Sequence, residues 1–232
     1  MQTSNEHSWL AHAQMLDSAL PIGAFSHSFG LETLVQNGVV ASVGDLEEYL
    51  RTLLWNSWAP CDAMAIKAVY EFVPMQNWDD LWLLDSMLHL GRSARESREG
   101  ARKIGRRLLA LGQELYPQIA WQPLLEAIEN NSCVGTHSTI YGFICFGLDV
   151  PLRVAAEGFL YGCVLSNANN AVRMMRLGQT ASQKTVARLL PEIALAWRAV
   201  ENRDVFEYSN CVPQAEIAAM NHEALYSRLF MS

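Results

Sequence analysis

The side chains that could bind a metal ion are scattered along this sequence. The six histidines lie at positions 7, 12, 27, 89, 137 and 222, and the five cysteines at positions 61, 133, 145, 163 and 211. Cys133 and His137 are four residues apart, a spacing that would place sulfur and nitrogen on one face of a helix. Gly135 lies between them and disfavours a helix, and such residues more often pack in a core. We therefore predict no metal site and no bound cofactor.

The sequence also lacks the motifs of the common catalytic sites. None of its three lysines, Lys67, Lys103 and Lys184, follows a glycine, which excludes a GxxxxGK[ST] phosphate-binding loop. GxSxG, HExxH and GxGxxG are missing as well. No set of residues is left on which to build a catalytic mechanism, so we predict that the protein is not an enzyme.

The segment DSALPIGAFSHSFGLE, residues 17–32, is typical of neither a helix nor an ordinary loop. Three polar residues, Ser26, His27 and Ser28, stand between Phe25 and Phe29. Their hydroxyls could cap a helix that starts near Phe29. Equally, the segment could form a rigid loop that anchors a partner protein. From the residues alone, both interpretations stay open.

The last residues, HEALYSRLFMS, are unusually apolar for the end of a chain. They include Leu225, Tyr226, Leu229, Phe230 and Met231 with a single arginine, whereas chain ends are usually polar and frayed. Burial of Leu229 and Phe230 would contribute roughly 1.5–3 kcal/mol each before ordering costs. The tail therefore packs on its own domain or is taken up by a partner.

Two further patterns allow both internal packing and an interface. Residues 92–107 carry seven basic side chains against Glu96 and Glu99; a solvated helix face with ion pairs is favoured over a surface for an acidic partner. Gly158, Gly162 and Ser166 recur every four residues, which lets another helix approach closely, within the core or across a dimer.

The elements that must position these residues are helical nearly throughout. Apolar periodicity predicts helices over residues 45–58, 78–90, 91–111, 136–148 and from 151 onward. Ser42 and Asp45 have capping-box spacing, and so do Thr180 and Gln183. Pro60 suits the first turn of a helix, whereas Pro191 should kink or split the helix it occupies. We predict one all-α domain over residues 1–212, followed by a C-terminal helix and tail over residues 213–232.

Composition limits the classes of partner. Hydrophobic residues make up 50% of the 232 residues and charged residues only 18%, so buried interfaces with partners or with a second copy are expected. The net charge of −7 argues against nucleic acid. Five widely spaced cysteines indicate a reducing cytoplasm. No signal peptide and no membrane span are predicted.

Four stretches of this sequence resemble the urease accessory protein UreF family. They are DSALPIGAFSHSFGLE at residues 17–32, SREGARKIGRRLLAL at residues 97–111, the run from Leu160 through SNANNAVRMMRLGQT to Thr180, and the terminal HEALYSRLFMS. The resemblance covers essentially the whole chain, and the SHSFGLE loop and the YSRLF tail are its most specific parts. It implies a compact all-α protein that forms homodimers.

The resemblance also implies partners and roles. Such a chain would bridge UreD (also called UreH) and the GTPase UreG and would assist nickel insertion into apo-urease. The UreD-binding residues would be Tyr226, Arg228, Leu229 and Phe230. The residues facing UreG or the dimer mate would be Ser26, His27, Glu32, Arg173 and Gln179. Regulation of UreG, with Arg173 as an arginine finger, and direct nickel binding are the rival functions.

One stretch departs from the family pattern. Relatives often have two histidines followed by proline, whereas this chain has GTHSTI at residues 135–140. That difference weakens any assignment of nickel contact to His137.

Overall fold

The structure, a computed structural model, describes residues 8–232, and its regular elements in that range are helical. The all-α prediction is therefore confirmed. His7 and half of the segment considered for a signal peptide fall outside the described range. None of the described helices is long and apolar enough to cross a bilayer. The α-helices are α1 Ser8–Met15, α2 Leu31–Gln36, α3 Val43–Leu53, α4 Ala63–Met75, α5 Trp78–Leu90, α6 Arg95–Leu115, α7 Gln122–Glu129, α8 His137–Gly147, α9 Leu152–Met174, α10 Gln179–Val200 and α11 Pro213–Asn221.

Helix α8 lies at the centre of the fold. Its residues from Ser138 to Cys145 are buried, and it packs between α4 and α6. Gly142 allows a close approach, because a Cβ atom there would lie 3.1 Å from the Cα atom of Ile66 in α4. Helix α9 packs against α4, and α10 packs against α9. The buried helix expected over residues 136–148 is confirmed.

A buried carboxylate from another helix caps the start of α8. Asp85 of α5 is 1% exposed and accepts hydrogen bonds from the backbone N–H groups of Gly135 at 2.9 Å and Thr136 at 3.0 Å. It also accepts from the Thr136 hydroxyl at 2.7 Å and from the Cys133 thiol at 3.4 Å. A negative charge at a helix N-terminus is favourable. Asp85 therefore joins α5 to the central helix.

Replacement of Asp85 with asparagine should destabilise this junction. The asparagine amide keeps one acceptor oxygen, but its NH₂ group faces N–H and O–H groups that donate hydrogen bonds to Asp85 in the wild type, so these donors lose their acceptor. We expect the free energy of unfolding to fall by about 2–3 kcal/mol, measured by urea titration. The matched control is Asp79→Asn on the exposed side of the same helix, with an expected change below about 0.5 kcal/mol. Equal effects of the two changes would contradict this account.

The start of α4 differs from the prediction. Pro60 does not open a new helix: Leu54–Asp62 forms a π-helical stretch that joins α3 to α4, with Pro60 inside it. Proline cannot donate a backbone hydrogen bond, so the helix must leave a carbonyl free. The segment after α10 provides hydrogen-bond donors for two carbonyls of this stretch. Cys211 N donates to Asn56 O at 2.8 Å, and Ser209 N donates to Pro60 O at 2.8 Å. A distant segment thus stabilises the wide turn.

Three other helix predictions need correction. The helix expected over residues 91–111 starts only at Arg95, because the Arg98 guanidinium binds the carbonyls of Arg92 and Ser93 in the break. Thr180 does not cap α10: Gly178 is the N-cap, and its carbonyl accepts from Ser182 N at 3.1 Å. Of the two outcomes predicted at Pro191, the split does not occur: α10 runs unbroken through this exposed proline, and water can satisfy the carbonyl that the proline leaves free.

The other bounds agree well with the sequence. The helix at residues 78–90 has the predicted ends, and the capping box of Ser42 and Asp45 is present. Helix α11 packs against α2 and α6, and the 3₁₀ turn His222–Ala224 follows it. The division into residues 1–212 and 213–232 stays a prediction.

Candidate partner-binding site

Residues 23–32 comprise a tight loop and the first two residues of α2. Gly23 and Gly30 have φ angles of 81° and 95°, in the left-handed region that favours glycine. A Cβ atom at Gly30 would lie 2.8 Å from Ala215 O and 2.9 Å from Ala219 N, so the loop closes directly on α11. The Ser28 hydroxyl lies 3.4 Å from Glu32 N at the start of α2. The capping interpretation of the loop thus holds in part, through Ser28.

The C-terminal tail lies along this loop and pairs with its backbone. Ser232 O accepts from Ser28 N at 2.5 Å and from Phe29 N at 3.0 Å, and Met231 N donates to Ser26 O at 2.8 Å. The Ser28 hydroxyl donates to the same Ser232 oxygen at 2.7 Å. We call residues 23–32 together with residues 222–232 the tail–loop unit.

His27 adds a side-chain contact to this pairing. Its Nδ1 atom lies 2.7 Å from the Ser232 hydroxyl, and the Asn170 amide donates to its backbone oxygen at 2.8 Å. Burial lowers the pKa of His27 to about 4, with Lys103 acting in the same direction. The ring is therefore neutral near pH 7 and works as a hydrogen-bonding group without charge.

Glu32 anchors the tail to α2. Its side chain is almost fully buried, and it accepts from the backbone N–H groups of Leu229 at 2.7 Å and Phe230 at 3.1 Å. The same carboxylate lies 3.0 Å from Nε2 of His222, which is also buried. Three donors from the tail therefore meet one acidic side chain.

Glu96 closes the other side of this cluster from α6. One of its oxygens lies 2.6 Å from Nδ1 of His222, and the other accepts from Arg228 at 2.8 Å. His222 is thus held between two carboxylates on two different helices. Sequence reasoning missed His222 and treated Glu96 only as a counter-charge in the arginine-rich helix. A carboxylate that interrupts a basic helix face was the signal that could have drawn attention to it.

Arg173 of α9 ties loop and tail together. Its guanidinium donates to Phe25 O at 2.9 Å and lies 4.6 Å from the centre of the Phe230 ring, which is a cation–π contact. The structure thus brings eight of the nine predicted site residues together, seven within the tail–loop unit and Arg173 against it: Ser26, His27, Glu32, Tyr226, Arg228, Leu229, Phe230 and Arg173. Gln179 is exposed at the first position of α10 and lies outside this unit.

The tail presents two faces of opposite character. Phe230 is only 4% exposed, whereas its neighbours Leu229 and Met231 are 61% and 56% exposed. Tyr226 is fully exposed, and Phe25 from the loop is exposed as well. The alternation places anchoring side chains inside and apolar side chains in solvent. Phe230 therefore packs on its own domain, as one interpretation of the tail predicted, while Tyr226, Leu229 and Met231 stay available to a partner, as the other predicted.

Most arginines of α6 are engaged within the chain. Arg107 donates to Pro21 O and Arg106 to Cys133 O, both of which lie in loops. Arg95 pairs with Glu223, and Arg102 pairs with Glu99. These contacts hold loops and neighbouring side chains in place, but within the described part of the chain only Arg95 and Arg102 pair with acidic side chains.

A cavity of about 160 Å³ lies beneath the loop, between α1, α8 and α9. His137 and Cys163 line it, and burial lowers the pKa of His137 to about 4 and raises the pKa of the Cys163 thiol well above its ordinary value. Cys133 precedes the first turn of α8, so it does not share a helix face with His137. Within residues 8–232, no group of three histidine, cysteine or acidic side chains is arranged to hold a metal ion.

Comparison with known proteins identifies the family. A family model described as UreF matches residues 40–190. The urease accessory protein UreF of Lachnoclostridium phytofermentans is 34% identical over 94% of this chain and 96% of its own length. The UreF proteins of Paenarthrobacter aurescens and Kocuria rhizophila are 33% and 35% identical, over 96% and 94% of this chain and 97% and 94% of their own lengths. Since the model matches more than half of the chain and the relatives match nearly all of it, the chain belongs to the UreF family of urease accessory proteins.

Proposed function

We propose that this chain is a non-catalytic assembly factor of urease maturation, which bridges UreD and UreG and assists nickel insertion into apo-urease. The relatives it matches are urease accessory proteins. The observation that carries the proposal is the ordered tail with exposed apolar side chains, Tyr226 and Leu229 above all. Exposed apolar residues on an ordered segment are typical of a protein–protein interface.

The residues of the tail–loop unit take two different roles in this proposal. Tyr226 and Leu229 would contact UreD directly, whereas Arg228 and Phe230 would hold the tail in its binding conformation. Ser26, Arg173 and Gln179 would face UreG or a second copy of the chain, whereas the buried His27 and Glu32 would hold that surface in place. A homodimer in the cytoplasm is part of the same proposal. The low charged fraction of 18% supports the dimer, and the five unpaired cysteines support the cytoplasm.

The rival functions have less support. An arginine finger must reach the nucleotide of another protein, but the Arg173 guanidinium is engaged with Phe25 O and the Phe230 ring. A nickel-binding chaperone needs converging ligands, and the described residues include no such group of three. Bridging is therefore the function that the geometry favours.

Co-purification with UreD tests the proposal. A truncation before His222 is a poor test, because it also removes Phe230 and the partners of the buried Glu32. The double variant Tyr226→Ala, Leu229→Ala changes only outward side chains. We expect it to fold normally and its affinity for UreD to fall about 10- to 100-fold, because anchoring interface residues contribute more than about 1 kcal/mol each to binding.

The matched control is the double variant Leu83→Ala, Leu90→Ala on α5, which removes similarly exposed leucines. It should retain UreD fully. If both double variants retained UreD equally, the tail would not be the binding surface, and the proposed bridge to UreD would be wrong.

A further inference from the structure

Helix α6 and the residues just before it concentrate positive charge in a chain that is otherwise acidic. Residues 92–107 carry seven basic and two acidic side chains, whereas the whole chain has 17 basic and 24 acidic residues. Exposed charges on a helix usually do little beyond keeping its outer face in water. They have a further role where their charge stays uncompensated next to other features of an interface.

Several cations of this helix keep their full charge. Arg107 donates to Pro21 O at 3.1 Å, and Arg106 donates to Cys133 O at 3.4 Å. A carbonyl oxygen has no net charge, so these bonds hold the guanidinium groups in place without neutralising them. Lys103 is exposed on the same helix.

Lys103 and Arg107 lie beside the loop. A Cβ atom at Gly100 would lie 2.9 Å from Nδ1 of His27, so this part of α6 packs directly on the loop. Lys103 and Arg107 follow Gly100 by three and seven residues, which is the spacing of one side of a helix. Arg107 also reaches the loop segment through its bond to Pro21 O. Two cations of α6 therefore border the loop.

A third cation borders the loop from another helix. Arg173 of α9 is exposed and donates to Phe25 O at 2.9 Å, and the Phe25 side chain next to it is 61% exposed. Asp17 precedes the loop as its acidic neighbour and accepts from Ala19 N with one carboxylate oxygen. Aromatic rings and arginines are the side chains enriched in protein–protein interfaces. The surface around Phe25 thus combines an apolar centre with an excess of positive charge.

We propose that Lys103, Arg107 and Arg173 form a basic border around Phe25 that binds an acidic surface of UreG. Because this assignment rests on the proposed function, in which the outward side chains of the tail bind UreD, the side of the loop is left for UreG. Complementary charge points to an acidic occupant. Nucleic acid is the other polyanion that a basic border suits, but the net charge of −7 repels it.

Neutral variants separate the charge of the border from its structural contacts. The pair Lys103→Gln, Arg107→Gln removes two positive charges, while the amide at position 107 keeps an N–H group that can donate to Pro21 O. The pair Lys103→Arg, Arg107→Lys keeps both charges and a donor for the same carbonyl. The matched control is the pair Arg198→Gln, Arg203→Gln, which removes two exposed charges at and beyond the last turn of α10.

The rate at which UreG associates with the complex of this chain and UreD provides the measurement. We expect the wild-type rate to fall about tenfold between about 0.01 M and about 0.15 M salt, because screening weakens the attraction between surface charges. The neutral pair should associate about tenfold more slowly than the wild type at the lower salt concentration and should change less than about threefold over the same range. The charge-retaining pair and the α10 control should stay within about twofold of the wild type.

Equal association rates of the neutral pair and the wild type would overturn the basic border, and so would an equal loss in the α10 control. A DNA oligonucleotide that bound the wild type but not the neutral pair, with UreG association unchanged, would assign the surface to nucleic acid instead. If the wild-type complex bound no UreG at all, the proposed bridge would be wrong and the border with it. If the wild type bound UreG and the neutral pair did so equally well, only the border would be wrong.

Discussion

Replacement of Glu32 with alanine is expected to release the tail while the helical core stays folded. The change removes the acceptor of Leu229 N, Phe230 N and His222 Nε2 in one step. It also leaves His222 paired with Glu96 alone. A buried donor that loses its acceptor costs about 1–3 kcal/mol, and this change leaves three such donors in one short segment, more than its remaining contacts can recover.

The effect of this change should extend into the loop. Ser232 O accepts from Ser28 N and Phe29 N, so these loop amides should lose protection together with those of Phe230 and Met231. Hydrogen exchange can measure all four amides in one experiment. A tail that opens without any change at Ser28 and Phe29 would show that loop and tail are not one unit.

The matched control for Glu32→Ala is Glu114→Ala. Glu114 is exposed on α6, so its removal should change neither the tail amides nor the loop amides. If the two variants had the same exchange pattern, the buried carboxylate would not be the anchor of the tail.

Local sequence patterns predicted the helices well where the helix ends depend on nearby residues. The capping box of Ser42 and Asp45 marks the start of α3, and the apolar pattern of residues 78–90 gives both ends of α5. The errors occur where a distant residue decides the backbone. The turn at Pro60 depends on Ser209 and Cys211, whose amide groups bind carbonyls that a regular helix would have used.

The candidate site could be predicted in parts but not as a whole. The loop and the tail were each recognised as unusual, and seven of the predicted site residues lie in the tail–loop unit, which Arg173 of α9 contacts. Their meeting could not be derived, because 204 residues separate Ser28 from Ser232 and no periodic pattern links them. Glu32 was predicted to face UreG or the dimer mate, but its contacts depend on donors supplied by the far end of the chain.

The small residues Gly158 and Gly162 on α9 have different surroundings, although their sequence pattern is the same. At Gly158, an added Cβ atom would lie 2.6 Å from the His12 ring, so the glycine there serves internal packing, which is the favoured interpretation. At Gly162, by contrast, no atom lies within 4 Å of such a Cβ. The same residue type in one stripe is required at one position and replaceable at the other.

Alanine substitutions at one glycine of α6 and one glycine of α9 should therefore change stability in opposite directions. A Cβ atom at Gly105 would lie 2.2 Å from Gly135 O and 2.9 Å from His137 N, both backbone atoms at the start of α8. Asp85 fixes that backbone from the other side, so it cannot move aside. We expect Gly105→Ala to lower the free energy of unfolding by about 3 kcal/mol or more, at the upper end of overpacking effects.

Gly162→Ala should have the opposite sign. Gly162 lies inside α9 with open space around its Cβ position, so alanine gains helix propensity of up to about 1 kcal/mol without a clash. Urea titration of both variants measures the two free energies under one condition. Destabilisation by Gly162→Ala would contradict the open space at that position, and an unchanged stability of Gly105→Ala would contradict the close approach of α6 to α8. A fall confined to Gly105→Ala would instead place the close contact between these helices at the residue that the geometry indicates.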